Sequence, residues 1–196
     1  MNQMPSEHNI IDEWTTVKAP SPPQLKEVHL DPKATALLIL DIQTQNCNAD
    51  RRPRCVASVL KIKTLLGEAR AHGACVIYSL TRTGGISDII DDVSPAEGEP
   101  VVHSGPDKFF GTDLEKILRE RNVESVIIVG TAAHGAVLHT ATGAALREFQ
   151  VIVPVDGMSA SELYAEQYTT WHLANAPGSQ KQTTITKVDM IRFSET

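Results

Sequence analysis

Apolar residues in this chain gather into short unbroken runs, separated by stretches of helical period. "TALLILDI" (35–42), "ACVIYSL" (74–80), "ESVIIVG" (124–130), "QVIVPVD" (150–156) and "TTITKV" (183–188) show little alternation, as strands buried on both faces do. Between them, "VASVLKIKTLLGEARAHG" (56–73) spaces Val56, Leu60, Ile62, Leu65, Leu66 and Ala69 for one helical face, with Gly73 placed as a C-cap. "TDLEKILRERN" (112–122) predicts a helix in which Thr112 is the N-cap and Glu115 closes a capping box. "HGAVLHTATGAALREF" (134–149) and "SASELYAEQYTTWHLANA" (159–176) predict two more helices. The segment 81–111 is rich in Gly, Pro and Asp, and "EPVV" offers a short strand inside it; loops this long tend to be functional. Strands alternating with helices specify an α/β fold, a three-layer, doubly wound, mostly parallel sheet with helices on both faces. Such sheets bind ligands beyond the carboxyl ends of their strands, at the switch point. That rule points to Asp41, to the 79–82 strand end and to the 130–136 turn.

Residues 1–33 read as an extended N-terminal arm, because "APSPPQLKEVHLDPKA" carries four prolines and no sustained period. Residues 34–196 read as the domain, and 196 residues suffice for one full-sized core. Hydrophobic residues make up 41% and charged residues 21%, an ordinary globular balance. No run approaches the ~18–20 apolar residues of a membrane span. The N-terminus lacks a basic region followed by an apolar stretch, so the expected compartment is the cytoplasm. Net charge is −6, and no basic cluster exceeds "DRRPRC" (50–55), which argues against nucleic acid as a partner. An arginine in that cluster is able to meet an anionic substrate. The three cysteines are an odd number without a CxxC, so neither a disulfide framework nor a zinc knuckle is expected. Cys75 reads as a small core residue.

Asp41 closes the first strand, where a carboxyl at the edge of a low-dielectric crevice can relay a proton. From position alone, a loop-anchoring or helix-capping role stands level with that one. Lys108, in "HSGPDKFFGTDL", is able to hold a carboxylate or bind a substrate's acid group, although a surface lysine is the commoner case. In "GTAAHGAV", the N–H groups of Gly135 and Ala136 are expected to face a bound oxygen; simple close packing at Gly135 is the alternative. His134 lies in the turn itself and is a candidate ligand contact, whereas His139 and His172 fall within helices. No HxH, HExxH or DxH spacing lies near a strand end, so no metal and no cofactor are expected.

Three pieces in order resemble the isochorismatase-like hydrolase family, which includes nicotinamidases and N-carbamoyl amidohydrolases. "ALLILDIQ" resembles its first strand with an Asp-x-Gln motif, Asp41 and Gln43. "DKFFGTDLEKIL" resembles its lysine segment. "VIIVGTAAHGAVLHTATGAALREFQVIVPVDGMSA" resembles its nucleophile turn, helix and following strand. The resemblance runs from about residue 34 to the end. It implies an Asp–Lys–Cys triad in which Asp41 and Lys108 carry over, while the cysteine position, six residues beyond Gly130, holds Ala136. It also implies a cis peptide at Thr131–Ala132 and substrate contacts from Gln43, Arg82, Thr131, Ala132, His134 and Gly135. "DIQTQNC" departs from the family's Asp-x-Gln-Asn-Asp-Phe, and the metal-binding Asp-x-His of nicotinamidases is absent. Members commonly form dimers or tetramers, so a homo-oligomer is implied.

A methyl group cannot attack a carbonyl, so thiol-based amide hydrolysis is not open to the chain as written. The family's isochorismatases cleave a vinyl ether instead: the Asp protonates the vinyl carbon, water completes cleavage, and the cysteine position holds glycine. Small Ala136 fits that pattern, and "AHG" resembles the Ala-His pair of the isochorismatase turn. The expected activity is therefore Asp41-dependent acid catalysis on a small carboxylate-type metabolite. Two alternatives stay open. One is an amidohydrolase whose cysteine has become Ala136, and the other is a non-catalytic small-molecule-binding relative.

Overall fold

The computed structural model describes residues 9–195. Residues 1–8 of the expected arm and Thr196 at the end of the domain lie outside them. Strands β1 (Val28–Leu30), β2 (Thr35–Leu40), β3 (Cys75–Thr81), β4 (Val101–Ser104) and β5 (Ser125–Thr131) are followed by β6 (Gln150–Pro154), β7 (Met158–Ser159), β8 (Thr183–Thr186) and β9 (Ile191–Phe193). Helices α1 (Pro53–Ala71), α2 (Leu114–Glu120), α3 (Leu138–Ala145) and α4 (Leu163–Asn175) lie between them. The main sheet runs in the order β4-β3-β2-β5-β6-β8, with β7 paired to β5, and every pairing is parallel. From β2 the chain winds outward through β3 and β4, then returns to β5 and winds the other way, so the switch point lies between β2 and β5.

Each central strand feeds two cores. Leu37 and Ile39 of β2 pack with Tyr78, Leu80, Ile127 and Val129 beneath Ile62, Leu65 and Leu66 of α1. Their alternates Leu38 and Leu40 pack with Ile77, Ile128 and Val153 against Leu114, Leu118, Ala141 and Leu173 of α2, α3 and α4. This two-sided burial explains why the strands show no polar alternation. Gly130 pairs with Leu40 on one edge and Met158 on the other. Its φ is +134°, and a Cβ there would stand 2.1 Å from the Leu40 carbonyl oxygen. Only glycine lets β2 and β5 come this close at the switch point.

Several local expectations change. Helix α1 starts at Pro53, in the first helical turn where its missing N–H costs nothing, and it buries Cys55, Ser58, Val59, Ile62, Leu65, Leu66 and Ala69. Val56 and Leu60 are exposed, because Ser58 takes the inner position and satisfies its hydroxyl on the Cys55 carbonyl at 2.8 Å. Gly73 does follow the helix with φ +75°. The capping box of α2 does not form: Asp113 is its N-cap, and Thr112 Oγ1 accepts from the Leu114 N–H. Glu115 instead pairs with Arg147 at 2.7 Å. The segment after β5 opens as a π turn over Ala133–Val137 before α3 begins. Near the end of the arm, β1 pairs with β9 as a separate two-stranded sheet; three-residue strands leave no period to read.

The cysteine reading is also corrected. Cys47 and Cys55 form a disulfide with their Cα atoms 5.2 Å apart, and both are buried. An odd count excluded a full framework but not a single local bridge across a turn. Cys75 is half-buried with a free thiol, which burial pushes above its ordinary pKa.

Candidate active site

The carboxyl ends of β2 and β3 supply the first groups. Asp41 follows β2 with φ +53°, a left-handed backbone that Asp tolerates better than most side chains. Its N–H continues the ladder to the Ser79 carbonyl at 3.1 Å, and its own carbonyl accepts the Gln43 N–H at 2.8 Å. This bend turns the chain away from the sheet while leaving the carboxyl at the crevice. Asp41 Oδ1 accepts from Ser79 Oγ at 2.8 Å, and Oδ2 accepts from Lys108 Nζ at 2.8 Å. Asp41 is 6% exposed and Lys108 0%, so the ion pair lies almost wholly out of water.

Lys108 comes from the loop after β4. Its N–H donates to Thr140 Oγ1 on α3 at 3.2 Å, and its carbonyl accepts from Thr112 Oγ1. Nζ also reaches the Ser104 carbonyl at 3.5 Å. A lysine fixed at backbone and ammonium alike behaves as a placed charge rather than a solvated tether. The residues Asp41 and Lys108, 67 positions apart in sequence, are thus brought together as expected.

The remaining candidates distribute around this pair. Gln43 is fully buried; its Oε1 accepts the Thr81 N–H at 3.0 Å, and Gly84 makes room for its amide, since a Cβ there would overlap Nε2. Gln43 Nε2 has no hydrogen-bond partner. Across β5, the Ser159 carbonyl accepts from Thr131 Oγ1 at 3.1 Å, while Ser159 Oγ is a second buried polar atom without a partner. The Thr131–Ala132 peptide is cis. Ala136 sits in the π turn at 5% exposure, Ala132 and Gly135 are half-buried, and His134 is exposed. The Gly135 N–H donates to the Ala132 carbonyl at 2.9 Å, so one of the two amides expected to face a ligand already has a partner. Arg82 is exposed with its guanidinium against Gly105, and it bonds to neither Asp41 nor Lys108.

Sequence reasoning reached the strand end holding Ser79 but did not single out that hydroxyl, since a serine in an apolar strand carries no sign of its partner. It also left the arginines of 50–55 unresolved. Arg52 Nε lies 3.4 Å from Ser161 Oγ, and Nη1 lies 3.5 Å from the Asn46 carbonyl. The arrangement amounts to a buried carboxyl linked to an ammonium and a hydroxyl at a strand end, beside a turn that carries a methyl group at position 136. It can move protons and cannot form an acyl-enzyme at position 136.

Residues 35–187 match the isochorismatase domain family. A secreted isochorismatase effector of Verticillium dahliae is 28% identical over 141 residues, which cover 66% of this chain and 74% of that protein. The N-carbamoylsarcosine amidase of an Arthrobacter species is 29% identical over 98 residues, 50% of this chain and 37% of the amidase. Among solved structures, an isochorismatase family protein of Desulfovibrio vulgaris superposes with a TM-score of 0.71 at 22% identity, over 80% of this chain and 95% of that one. At that identity the likeness speaks for the fold.

Proposed function

This chain belongs to the isochorismatase-like hydrolase family, and from that premise we propose that it hydrolyses a small carboxylate-type metabolite of the vinyl-ether class by Asp41-dependent acid catalysis. The observation that carries this reading is the buried Asp41–Lys108 pair at 2.8 Å beside a turn that holds Ala136 in place of a nucleophile. In the reacting complex the Lys108 Nζ proton passes to Asp41 Oδ2 along the 2.8 Å hydrogen bond that joins them. Asp41 then protonates the vinyl carbon and leaves an oxocarbenium ion. Water adds to that ion, the resulting hemiketal collapses to pyruvate and the ring alcohol, and the proton released returns to the pair. Ser79 holds the second carboxyl oxygen so that Oδ2 is the one aimed along this route. Gln43, Thr131, Ala132, His134, Gly135 and Arg82 are the proposed substrate contacts. Ala136 leaves room for a ring that a larger side chain would displace.

Pyruvate release from isochorismate in a coupled assay tests this, with Asp41→Asn run beside the wild type. Loss of release by a factor of about 10² or more in the variant is expected for removal of a general acid; release that survives in Asp41→Asn ends the proposal. A second reading, an amidohydrolase that has lost its cysteine, is favoured by one observation: the Asp–Lys pair is intact although position 136 cannot attack. If wild type releases no pyruvate and Ala136→Cys gains amide hydrolysis, that reading replaces the first.

The boundary between an arm at 1–33 and a hydrolase domain at 34–196 belongs to the same proposal, as does assembly into a homo-oligomer. The exposed apolar side chains Ile10, Ile11, Trp14 and Val17 of the arm and Leu163, Tyr164, Tyr168 and Trp171 of α4 support assembly. No helix among the described residues is long and apolar enough to cross a membrane. The cytoplasmic reading carries a condition: disulfides persist mainly in oxidising surroundings. A cytoplasmic protein is therefore expected to hold Cys47 and Cys55 as thiols, and a secreted one to hold them bonded.

A further inference from the structure

We infer that Arg52 is the residue that binds the substrate's carboxylate at the mouth of the Asp41 site, and that the Cys47–Cys55 disulfide holds it there. The inference rests on the reading of that site as the substrate site. After Asp41 the chain doubles back, and the Gln43 carbonyl accepts from the N–H groups of both Asn46 and Cys47 at 2.8 Å. The disulfide joins this turn to the first turn of α1, across a separation of eight residues, and Arg52 is the residue just before that helix. Its N–H donates to the Asn48 carbonyl at 2.8 Å. The backbone of Arg52 is thus fixed on both sides by links to the loop that carries Asp41.

Its side chain runs back over the strand ends. Nη1 approaches the Asn46 carbonyl in the loop after β2, and Nε approaches Ser161 Oγ just beyond β7. Because β2 and β7 pair with opposite edges of β5, a guanidinium that touches both loops spans the end of β5, where the Thr131–Ala136 turn begins. Both contacts are long, 3.4 and 3.5 Å, near the limit at which a hydrogen bond contributes. Nη2 makes no hydrogen bond to any described residue, and no described carboxylate lies within ion-pair distance of Arg52. Its neighbour Arg54 is placed quite differently, clamped through Nε and Nη2 on Glu166.

Arg52 is half-buried. Burial and then the charge of Arg51 press its pKa below the ordinary arginine value, while the charge of Asp41 works against them. It stays a cation under all working conditions. A half-buried guanidinium with spare donors, near one carboxylate that Lys108 already neutralises, suits an incoming carboxylate, which it can grip through two N–H groups. Gln43 Nε2 and Ser159 Oγ, the unpartnered buried atoms of the site, lie in the loop after β2 and at the end of β7, the two places that Arg52 connects.

The test is binding rather than turnover, so that it stands apart from the hydrolase reading. Isothermal titration compares benzoate with benzamide, two ring compounds that differ in the acid group. Wild type is expected to prefer benzoate by about tenfold or more, the scale of one charge-assisted pair. Arg52→Gln is expected to lose that preference with benzamide binding unchanged, and Arg52→Lys to keep part of it. The Cys47→Ser/Cys55→Ser double variant is expected to fall toward Arg52→Gln, and a wild-type preference there would remove the disulfide from the proposal. The wild-type preference persisting in Arg52→Gln, or no preference in wild type, overturns the assignment of Arg52. A protein that binds benzoate through Arg52 yet releases no pyruvate would defeat the proposed reaction and leave this inference standing.

Discussion

The proposed chemistry rests on one buried pair of side chains, Asp41 and Lys108. Lys108 has the ammonium of a surface residue and the burial of a core leucine, a state tolerable only because Asp41 lies 2.8 Å away. Replacing Lys108 with Met leaves the Asp41 carboxylate buried without its ammonium. Urea unfolding is expected to show a loss of about 3–5 kcal/mol, as for breaking other buried pairs. The double variant Asp41→Asn/Lys108→Met is expected to recover a good part of it, because no unpaired charge remains. A Lys108→Met protein as stable as wild type would mean that the pair is open to water. Asp41 was legible in the sequence because an acid ending an apolar strand stands out against its neighbours. Ser79 was not, because its role exists only once β3 lies beside β2 and points a hydroxyl at Oδ1.

Among the elements, α1 shows how far a periodic pattern can be trusted. Ile62, Leu65, Leu66 and Ala69 were assigned inward and are inward, but Val56 and Leu60 mark a face rotated from the real one. Period gives the angular spread of the apolar stripe, whereas the docking surface decides its edge. Here the edge is set by Cys55, which the disulfide ties inward, and by Ser58, which settles its own hydroxyl within the helix. Leu60→Lys is accordingly expected to change stability by no more than about 0.5 kcal/mol, as at exposed sites in general. Ile62→Ala is expected to cost about 2–5 kcal/mol, and equilibrium unfolding of the two separates these outcomes. The capping box of α2 failed for a related reason. Glu115 had the right spacing to reach back, yet Arg147 on the far side of the chain offered an ionic partner. Local motifs lose to tertiary partners when the latter bring charge.

At the scale of the whole molecule, the doubly wound order places the ends of β2 and β5 side by side, the kind of crevice where open α/β sheets bind ligands. The exposed apolar side chains of the arm and of α4 are expected to be covered by a second copy. Sedimentation equilibrium is expected to give a dimer or tetramer, and Leu163→Asp/Trp171→Asp is expected to weaken it. A wild-type monomer at all concentrations measured would end the assembly proposal.

By itself the sequence determined the fold class and the alternation of central strands and helices along the chain, and it marked Asp41 and, through the family resemblance, Lys108 as candidates. The fold class and the alternation follow from burial on both strand faces and from helical period, and Lys108 is marked by the motif around it; all are properties of short stretches of chain. The tertiary structure alone decided that Lys108 is buried and Arg82 is not, that Cys47 meets Cys55, that Ser79 bonds to Asp41, and that Arg52 touches the loops after β2 and β7. Each of those depends on distances between segments far apart in the chain, or on a turn whose course no period records. Pairing of polar groups is settled by which partner arrives, and arrival is a property of the folded sheet.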